Sequence, residues 1–166
     1  MPSNKIQKAI NEQIQNEFYA SYFYLSMSAY CEVQNFPGFA HWMRIQSEEE
    51  MQHAMKLFDY LNNRGGRVIL QAIERPPFEF KSPLDMFEQA LEHEQKVTKV
   101  IHSLYKIAKN EDDYATEVEL QWFIKEQVEE EKTAADIVDR LQRIKDDTIG
   151  ALMLDQELGS RSLVQG

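Results

Sequence analysis

Four long segments of the chain place apolar residues at the spacing of an α-helix. They span about residues 5–34, 38–64, 83–110 and 114–145, and a shorter amphipathic segment follows at about 147–158. Apolar positions recur every three to four residues, whereas the alternation typical of strands is nearly absent. At about 1.5 Å per residue, each long segment predicts a helix of roughly 40–48 Å. The pattern therefore predicts an all-α fold.

Glycine and proline mark the breaks between these segments. The first two are separated only by the stretch NFPG, and the third and fourth only by NEDDY, so each pair predicts an antiparallel helix hairpin. Ser82 and Asp113 are candidate N-caps of the third and fourth helices. Residues 65–82 form a loop far longer than a hairpin requires, so we expect it to cross the length of a bundle. The chain thus predicts a single domain over 1–166, a four-helix bundle with one long crossover loop plus a short C-terminal fifth helix.

The composition narrows the class of partner. The 166-residue chain has 18 lysines and arginines against 28 aspartates and glutamates, a formal net charge of −10. This argues against a nucleic-acid partner, which would need a basic surface, and suits a cationic one. The single cysteine, Cys31, rules out an intrachain disulfide framework and fits a reducing compartment. The polar N-terminal stretch does not read as a signal peptide, and no run of about 18 apolar residues occurs. We therefore expect a cytoplasmic protein with no membrane partner.

Each of the four long helices carries a carboxylate on or beside the apolar stripe, near its middle. At 100° per residue, these acids point in the same direction as the surrounding apolar residues and should face the bundle interior. Two further polar residues, a histidine and a glutamine, lie next to them. The residues are Glu17, Glu50, His53, Glu94, Gln127 and Glu130.

A group of buried carboxylates requires compensation. Each is costly to bury without a partner, and four together would repel one another. Multivalent cations supply the missing charge, and mixed carboxylate and imidazole ligands suit Fe, Mn or Zn better than Ca or Mg. Two metal ions that share Glu50 as a bridge would account for the number of ligands. Each residue alone has an ordinary interpretation as part of a solvated face or a satisfied core acid, so only the combination predicts a site.

The combination follows a known arrangement. Bundles that bind two iron or manganese ions use one Glu from each of two helices and a Glu-x-x-His from each of the others. Here the first and third helices supply Glu17 and Glu94, and the second supplies Glu50-x-x-His53. The fourth helix departs from the pattern, because Gln127-x-x-Glu130 stands where a second Glu-x-x-His would be.

At this level of detail the chain resembles a non-haem bacterial-type ferritin of the ferritin-like di-iron family, over essentially its whole length. The stretches that carry the resemblance are NEQIQNEFYASYFYLSMSAYC, EEEMQHAMKLFDYL, EHEQKVT and LQWFIKEQVEEEK. The resemblance implies a ferritin-like bundle whose copies form a hollow homo-oligomeric shell of 24 subunits. It also implies a ferroxidase, an enzyme that oxidises Fe(II) with O₂ or H₂O₂, and storage of the ferric mineral inside the shell.

The resemblance also assigns ligands to three irons. The first iron would be held by Glu17, Glu50 and His53. The second would be held by Glu50, Glu94 and Glu130, with Gln127 nearby as a hydrogen-bonding residue or weak ligand. A third, accessory iron would be held by Glu49, Glu126, Glu129 and Glu130. The alternative interpretation of Glu126 and Glu129 is that they belong to an ordinary solvated acidic face of the helix.

The same resemblance implies roles for further residues. Tyr24 would lie beside the di-iron centre and take part in electron transfer, compatibly with a role as a core aromatic. Trp122 is a possible electron donor that we expect mainly to pack. The remaining histidines are expected to be structural or exposed; they are His41, His93 and His102.

Three features separate this chain from other ferritin relatives. Met51 stands where bacterioferritins have their haem ligand, but the second Glu-x-x-His of bacterioferritins is absent, so no haem is expected. One cysteine excludes the iron domain of rubrerythrins. The segment 147–158 argues against the small twelve-subunit starvation ferritins, and Leu152 and Met153 are candidates to line the four-fold axis of the larger shell.

Two other classes of function stay open: a non-catalytic helical interaction module, and a di-iron or manganese oxygenase with an organic substrate.

Overall fold

A computed structural model describes residues 1–164, and five α-helices contain most of them. The helices are α1 (Asn4–Val33), α2 (Pro37–Asn63), α3 (Pro83–Asn110), α4 (Tyr114–Ile144) and α5 (Thr148–Leu158). Every helix end lies within one residue of its predicted position. No strand occurs in the described residues, so the predicted all-α class is confirmed.

Polar side chains cap the helix starts. Ser82 Oγ accepts the main-chain N–H of Asp85 at 3.1 Å, and Asp113 Oδ1 accepts that of Thr116 at 3.0 Å. Each cap satisfies a donor that has no partner within its own helix. Both of these N-caps were predicted. Asp113 also pairs with Arg64 at 2.9 Å, which ties the start of α4 to the end of α2.

The long loop between α2 and α3 runs along α1 for most of that helix. Side chains of α1 hold its main-chain carbonyls at intervals: Asn11 Nδ2 donates to Arg67 O at 2.9 Å and Ser26 Oγ to Pro77 O at 2.7 Å. Between them, Gln15 Nε2 donates to a carbonyl farther along the same loop. The loop therefore crosses the length of the bundle as predicted, and it is held by these hydrogen bonds and, near its end, by the buried side chain of Phe80.

The fifth helix packs on the start of α2. Asp155 Oδ1 accepts the main-chain N–H of Phe39 at 2.8 Å, which caps the first turn of α2 from a helix far along the chain. The two backbones approach so closely that a Cβ on Gly38 would lie 1.7 Å from the carbonyl oxygen of Asp155. Glycine is therefore required at position 38, and this contact fixes where the chain leaves α5.

The interior of the bundle has two apolar clusters separated by a polar layer. One, the α5-side cluster, includes Phe39, Phe87 and Leu158. The other, the opposite cluster, includes Ile10 and Leu57. All four long helices contribute to both clusters, and on each helix the predicted polar residues lie between the two clusters. Among residues 1–164, no helix combines the length and hydropathy needed to cross a membrane.

Candidate metal centre

The polar layer between the clusters brings together the acids predicted from the four helices. Two groups of potential ligands form there, and the ligand atoms within each group lie within 4.8 Å of one another. The first consists of Glu17, Glu50 and His53, and the second of Glu50, Glu94 and Glu130. Both groups contain Glu50, and all five residues are buried. The two predicted ligand sets are thus adjacent and share one carboxylate.

The residues predicted for a third metal are arranged differently. Glu126 forms a group with His53 and Glu130 whose ligand atoms also lie within 4.8 Å of one another. In the part of the chain that the structure describes, neither Glu49 nor Glu129 belongs to such a group. Glu129 is exposed, and the carboxylate of Glu49 is buried against residues that follow α5.

His53 and Glu50 form a buried charge pair. His53 Nδ1 lies 3.0 Å from Glu50 Oε2 and 3.9 Å from Glu17 Oε2. Burial disfavours the Glu50 carboxylate, but the charge and hydrogen bond of His53 outweigh burial and lower the pKa of Glu50 to about 2. Burial likewise lowers the pKa of His53, but the hydrogen bond to Glu50 and the nearby carboxylates raise it to about 10. The two side chains therefore neutralise each other when no cation is bound.

For the other carboxylates of the layer, burial and the charge of Glu50 outweigh any stabilisation by His53. Burial first, and then the charge of Glu50, raises the pKa of Glu94 to about 8. The same two causes raise the pKa values of Glu17 and Glu130 well above their ordinary value. Glu17 Oε2 is buried and makes no hydrogen bond. A surplus of acid with an unpartnered oxygen fits bound cations, which would displace the protons and complete the coordination.

Two glutamines support the carboxylates, and the prediction missed both. Gln13 Nε2 donates to Glu17 Oε1 at 2.7 Å. Gln46 Nε2 donates to Glu50 Oε1 at 2.8 Å and to Glu130 Oε2 at 2.9 Å, and so links α2 to α4. Each glutamine stands one helical turn before its glutamate, a spacing at which Gln–acid pairs form on helices. That repeated spacing was visible in the sequence and could have identified them.

Tyr24 and Gln127 both bind Glu94. The Tyr24 hydroxyl donates to Glu94 Oε1 at 2.5 Å, and Gln127 Nε2 donates to Glu94 Oε2 at 3.1 Å. Burial and the charge of Glu94 raise the pKa of Tyr24 well above its ordinary value, so the phenol stays protonated. Both residues therefore hold one carboxylate from the same layer, which places them where the prediction expected them, beside the metal groups.

Of the other residues considered in the sequence analysis, two pack beside this layer and three are exposed. The Trp122 ring packs edge-on against the His53 ring, with centroids 5.3 Å apart. His93 is enclosed by aromatic rings including that of Tyr24, and burial lowers its pKa. His41 and His102 are exposed. Met51 is 43% exposed on α2.

A cavity of about 200 Å³ reaches the metal groups from outside the bundle. Its walls include the ligand candidates His53 and Glu126, together with Glu49 and Val164. This volume has room for several water molecules, but it is smaller than the pockets that usually enclose organic ligands, about 300–1,000 Å³.

The fold and the clustered acids together define a ferritin-like di-iron bundle, and the chain belongs to this family. The family described as Ferritin-like domain matches residues 7–144. That range contains every residue of the two ligand groups that share Glu50.

Individual relatives match nearly the whole chain. A bacterial non-heme ferritin of Bacteroides fragilis (strain 638R) is 47% identical over 161 residues, which are 97% of this chain and 100% of the relative. One from Staphylococcus epidermidis (strain ATCC 35984) is 41% identical over 98% of each chain. Among solved structures, an open pore ferritin from Archaeoglobus fulgidus is 49% identical with a TM-score of 0.97, covering 98% of this chain and 100% of that one. A version of that ferritin engineered into a closed form has a TM-score of 0.98.

Proposed function

We propose that this protein is an iron-storage ferritin whose subunits oxidise Fe(II) to Fe(III) with O₂ or H₂O₂. The observation that carries the proposal is the pair of ligand groups that share Glu50 inside one bundle. Such an arrangement holds two metal ions close together without help from another subunit. In this view residues 1–166 form one ferritin-like domain.

Iron enters this scheme as the substrate. The first Fe(II) would bind Glu17, Glu50 and His53, and the second would bind Glu50, Glu94 and Glu130. Two Fe(II) ions together supply the two electrons that convert O₂ and two protons into H₂O₂. Carboxylate oxygens are hard ligands that favour Fe(III), so the donor set of the layer makes this oxidation favourable.

The surrounding residues have roles as hydrogen-bond donors in this proposal. Gln127 binds Glu94 through its amide nitrogen and is a positioning residue or weak ligand. Tyr24, which is hydrogen-bonded to the same carboxylate, would donate an electron during oxidation. A third iron would bind Glu49, Glu126, Glu129 and Glu130 beside the first two.

We further propose a homo-oligomeric hollow shell of 24 subunits in the cytoplasm, in which the mineral collects. Several apolar side chains of α5 are exposed in the single subunit, among them Leu152 at 54% and Met153 at 66%. Contacts between subunits would cover them. Met51 is exposed on another helix, and we assign it to such a contact rather than to a haem.

Oxidation of an organic substrate is the weaker alternative. An oxygenase needs a substrate pocket beside its metal ions, and the cavity at His53 is only about 200 Å³ with two carboxylates in its wall. A larger cavity of about 600 Å³ lies between α5 and the start of α3, away from the ligand groups.

The test is aerobic addition of Fe(II) to the metal-free protein, followed by ferric absorbance, with the size measured by gel filtration. The proposal expects oxidation much faster than in buffer and a particle of 24 subunits of 19.5 kDa, or about 470 kDa. A monomer, or oxidation no faster than in buffer, would overturn it.

A further inference from the structure

The chain segment after α5 covers one side of the metal centre. Residues 159–164, here called the post-α5 segment, follow the close contact between α5 and α2 and have no regular secondary structure beyond an initial turn. His41 binds the segment's main chain, with Nε2 2.7 Å from Arg161 O. The segment then reaches Glu49, whose Oε1 accepts the main-chain N–H of Val164 at 3.4 Å.

Arg161 makes the strongest contacts of this segment. Its Nη2 donates to Glu49 Oε2 at 2.6 Å and to Gln46 Oε1 at 2.8 Å. Its Nη1 donates to the main-chain oxygen of Trp42 at 3.2 Å, and the guanidinium lies 4.3 Å above the Trp42 ring. The side chain is only 19% exposed. A guanidinium that is largely buried, stacked and bonded to three acceptors is held in one place, unlike a surface arginine.

This guanidinium lies next to the groups proposed to take a third iron. Glu49 and Val164 share the walls of the 200 Å³ cavity with His53 and Glu126. Both carboxylate oxygens of Glu49 accept hydrogen bonds from the post-α5 segment. An iron bound by both Glu49 and Glu126 would therefore have to displace Arg161 from the Glu49 carboxylate. The iron and the guanidinium would also repel each other if both lay beside that carboxylate.

We propose that Arg161 is a tethered cation that competes with the third iron for Glu49 and so limits turnover beyond the first two irons. This inference rests on the proposed ferroxidase function and adds regulation to it. The third iron binds fully only when the post-α5 segment moves away from α2. The first two irons do not need that movement, because none of their ligands contacts Arg161 directly.

Gln46 connects Arg161 to the di-iron groups. Its Oε1 accepts from Arg161, and its Nε2 donates to both Glu50 and Glu130. The arginine therefore fixes which end of the amide faces the carboxylates. When Arg161 leaves, Gln46 loses that constraint, and Glu130 becomes freer to turn toward the third cation.

The test is the Arg161→Gln variant of the assembled protein, titrated anaerobically with Zn²⁺ by calorimetry. Zn²⁺ is redox-inert, so binding is measured apart from oxidation. We expect two tight sites per subunit to remain and the affinity for a further Zn²⁺ to rise about tenfold, the order of one charge-assisted interaction. Oxidation of Fe(II) beyond two per subunit should speed up correspondingly.

Three matched variants separate competition from a general loosening of the chain. Arg161→Lys keeps the charge without the planar fork and should give an intermediate affinity. Arg140→Gln breaks the exposed pair between α4 and Glu157 of α5, and should leave Zn²⁺ binding unchanged. In a Glu49→Gln background, Arg161→Gln should lose its effect, because the competed carboxylate is absent.

The outcomes distinguish this inference from the proposed function. Unchanged affinity for the further Zn²⁺ in Arg161→Gln, or an equal gain in Arg140→Gln, would overturn the role of Arg161 while leaving fast oxidation of the first two irons intact. A wild-type protein that oxidised no Fe(II) would instead overturn the proposed function, and the Zn²⁺ titration would still decide whether Arg161 competes with a cation.

Discussion

The polar layer and the two apolar clusters are built from the same four helices but have opposite effects on the folded state. The clusters consist of fully buried apolar side chains such as Leu57 and Phe87, at 1% and 0% exposure. Removing apolar surface of this kind from water is the main favourable contribution to folding. The layer buries several acids around a single histidine, His53, which lies 3.0 Å from Glu50 and 3.9 Å from Glu17.

This difference shows which part of the interior holds the fold and which part needs a ligand. A carboxylate without compensation opposes folding until a proton or a cation neutralises it. The protein can fold despite these buried acids because apolar clusters lie on both sides of the polar layer and stabilise the folded state. Substitutions in the two regions should therefore have separable effects on stability and on metal binding.

The largest expected effect comes from Glu50→Gln, since Glu50 belongs to both ligand groups. A neutral amide cannot bridge two cations as a carboxylate does, and we expect the fast phase of Fe(II) oxidation to fall by about 100-fold or more. Stopped-flow ferric absorbance measures this. Glu48→Gln is the matched control, because Glu48 is on the same helix with a half-exposed side chain. Equal loss in both variants would contradict the assignment.

Next in size is Leu57→Ala in the opposite cluster. Truncating a fully buried leucine should lower the free energy of unfolding by about 2–5 kcal/mol. Urea unfolding of the metal-free protein at one fixed concentration measures this, with Val33→Ala, 78% exposed in the subunit, as control. Zn²⁺ stoichiometry at the two tight sites should be unchanged. Loss of those sites would show that the layer and the cluster are not separable.

Glu17→Gln should have a smaller effect, with opposite directions for stability and for Fe(II) oxidation. The amide keeps the shape of the side chain, can satisfy the position of the unpartnered Oε2 and removes one acid. The metal-free protein should be as stable as the wild type or more stable by about 1 kcal/mol, whereas Fe(II) oxidation should slow by about tenfold. Thermal unfolding and oxidation assays on the same preparation measure both. A clearly less stable variant would argue that Glu17 supports the fold without metal.

The smallest effect is a pH dependence of the metal-free protein. The pKa of Glu94, about 8 when folded, lies above its ordinary value of 4.5, so the folded state holds a proton that the unfolded state releases. Stability should therefore fall as pH rises from 6 to 8, and His53, with a pKa of about 10, acts in the same direction. Calorimetry should show Tm lower by a few degrees at pH 8. Glu94→Gln should flatten this slope, and a Tm that rises with pH would refute the reasoning.

The helices and the ligand groups could be predicted because both depend on short-range periodicity. The apolar stripe predicts which face of a helix is buried, and Glu17, Glu50 and Glu94 lie on those stripes near the helix middles. Four antiparallel helices of similar length place their middles in one layer. The positions of the acids along the chain therefore imply that they meet.

The contacts of Glu49 could not be predicted in the same way. From spacing alone, Glu49 and Glu126 are equal candidates as ligands of a third metal ion. The Glu49 carboxylate nevertheless pairs with Arg161, a residue more than a hundred positions later. That pairing depends on the packing of α5 on Gly38, a contact that no helical periodicity encodes.

Helical periodicity and the placement of acids on apolar stripes were enough to predict the bundle, the long crossover and the position of Glu50 in both candidate ligand groups. These features follow from local geometry repeated along four segments. The partners of individual side chains, such as the Gln46 bridge from α2 to α4 and the Arg161–Glu49 pair, were decided by tertiary packing. They require atoms from distant parts of the chain to lie within about 3 Å of each other, and no pattern within one helix specifies that.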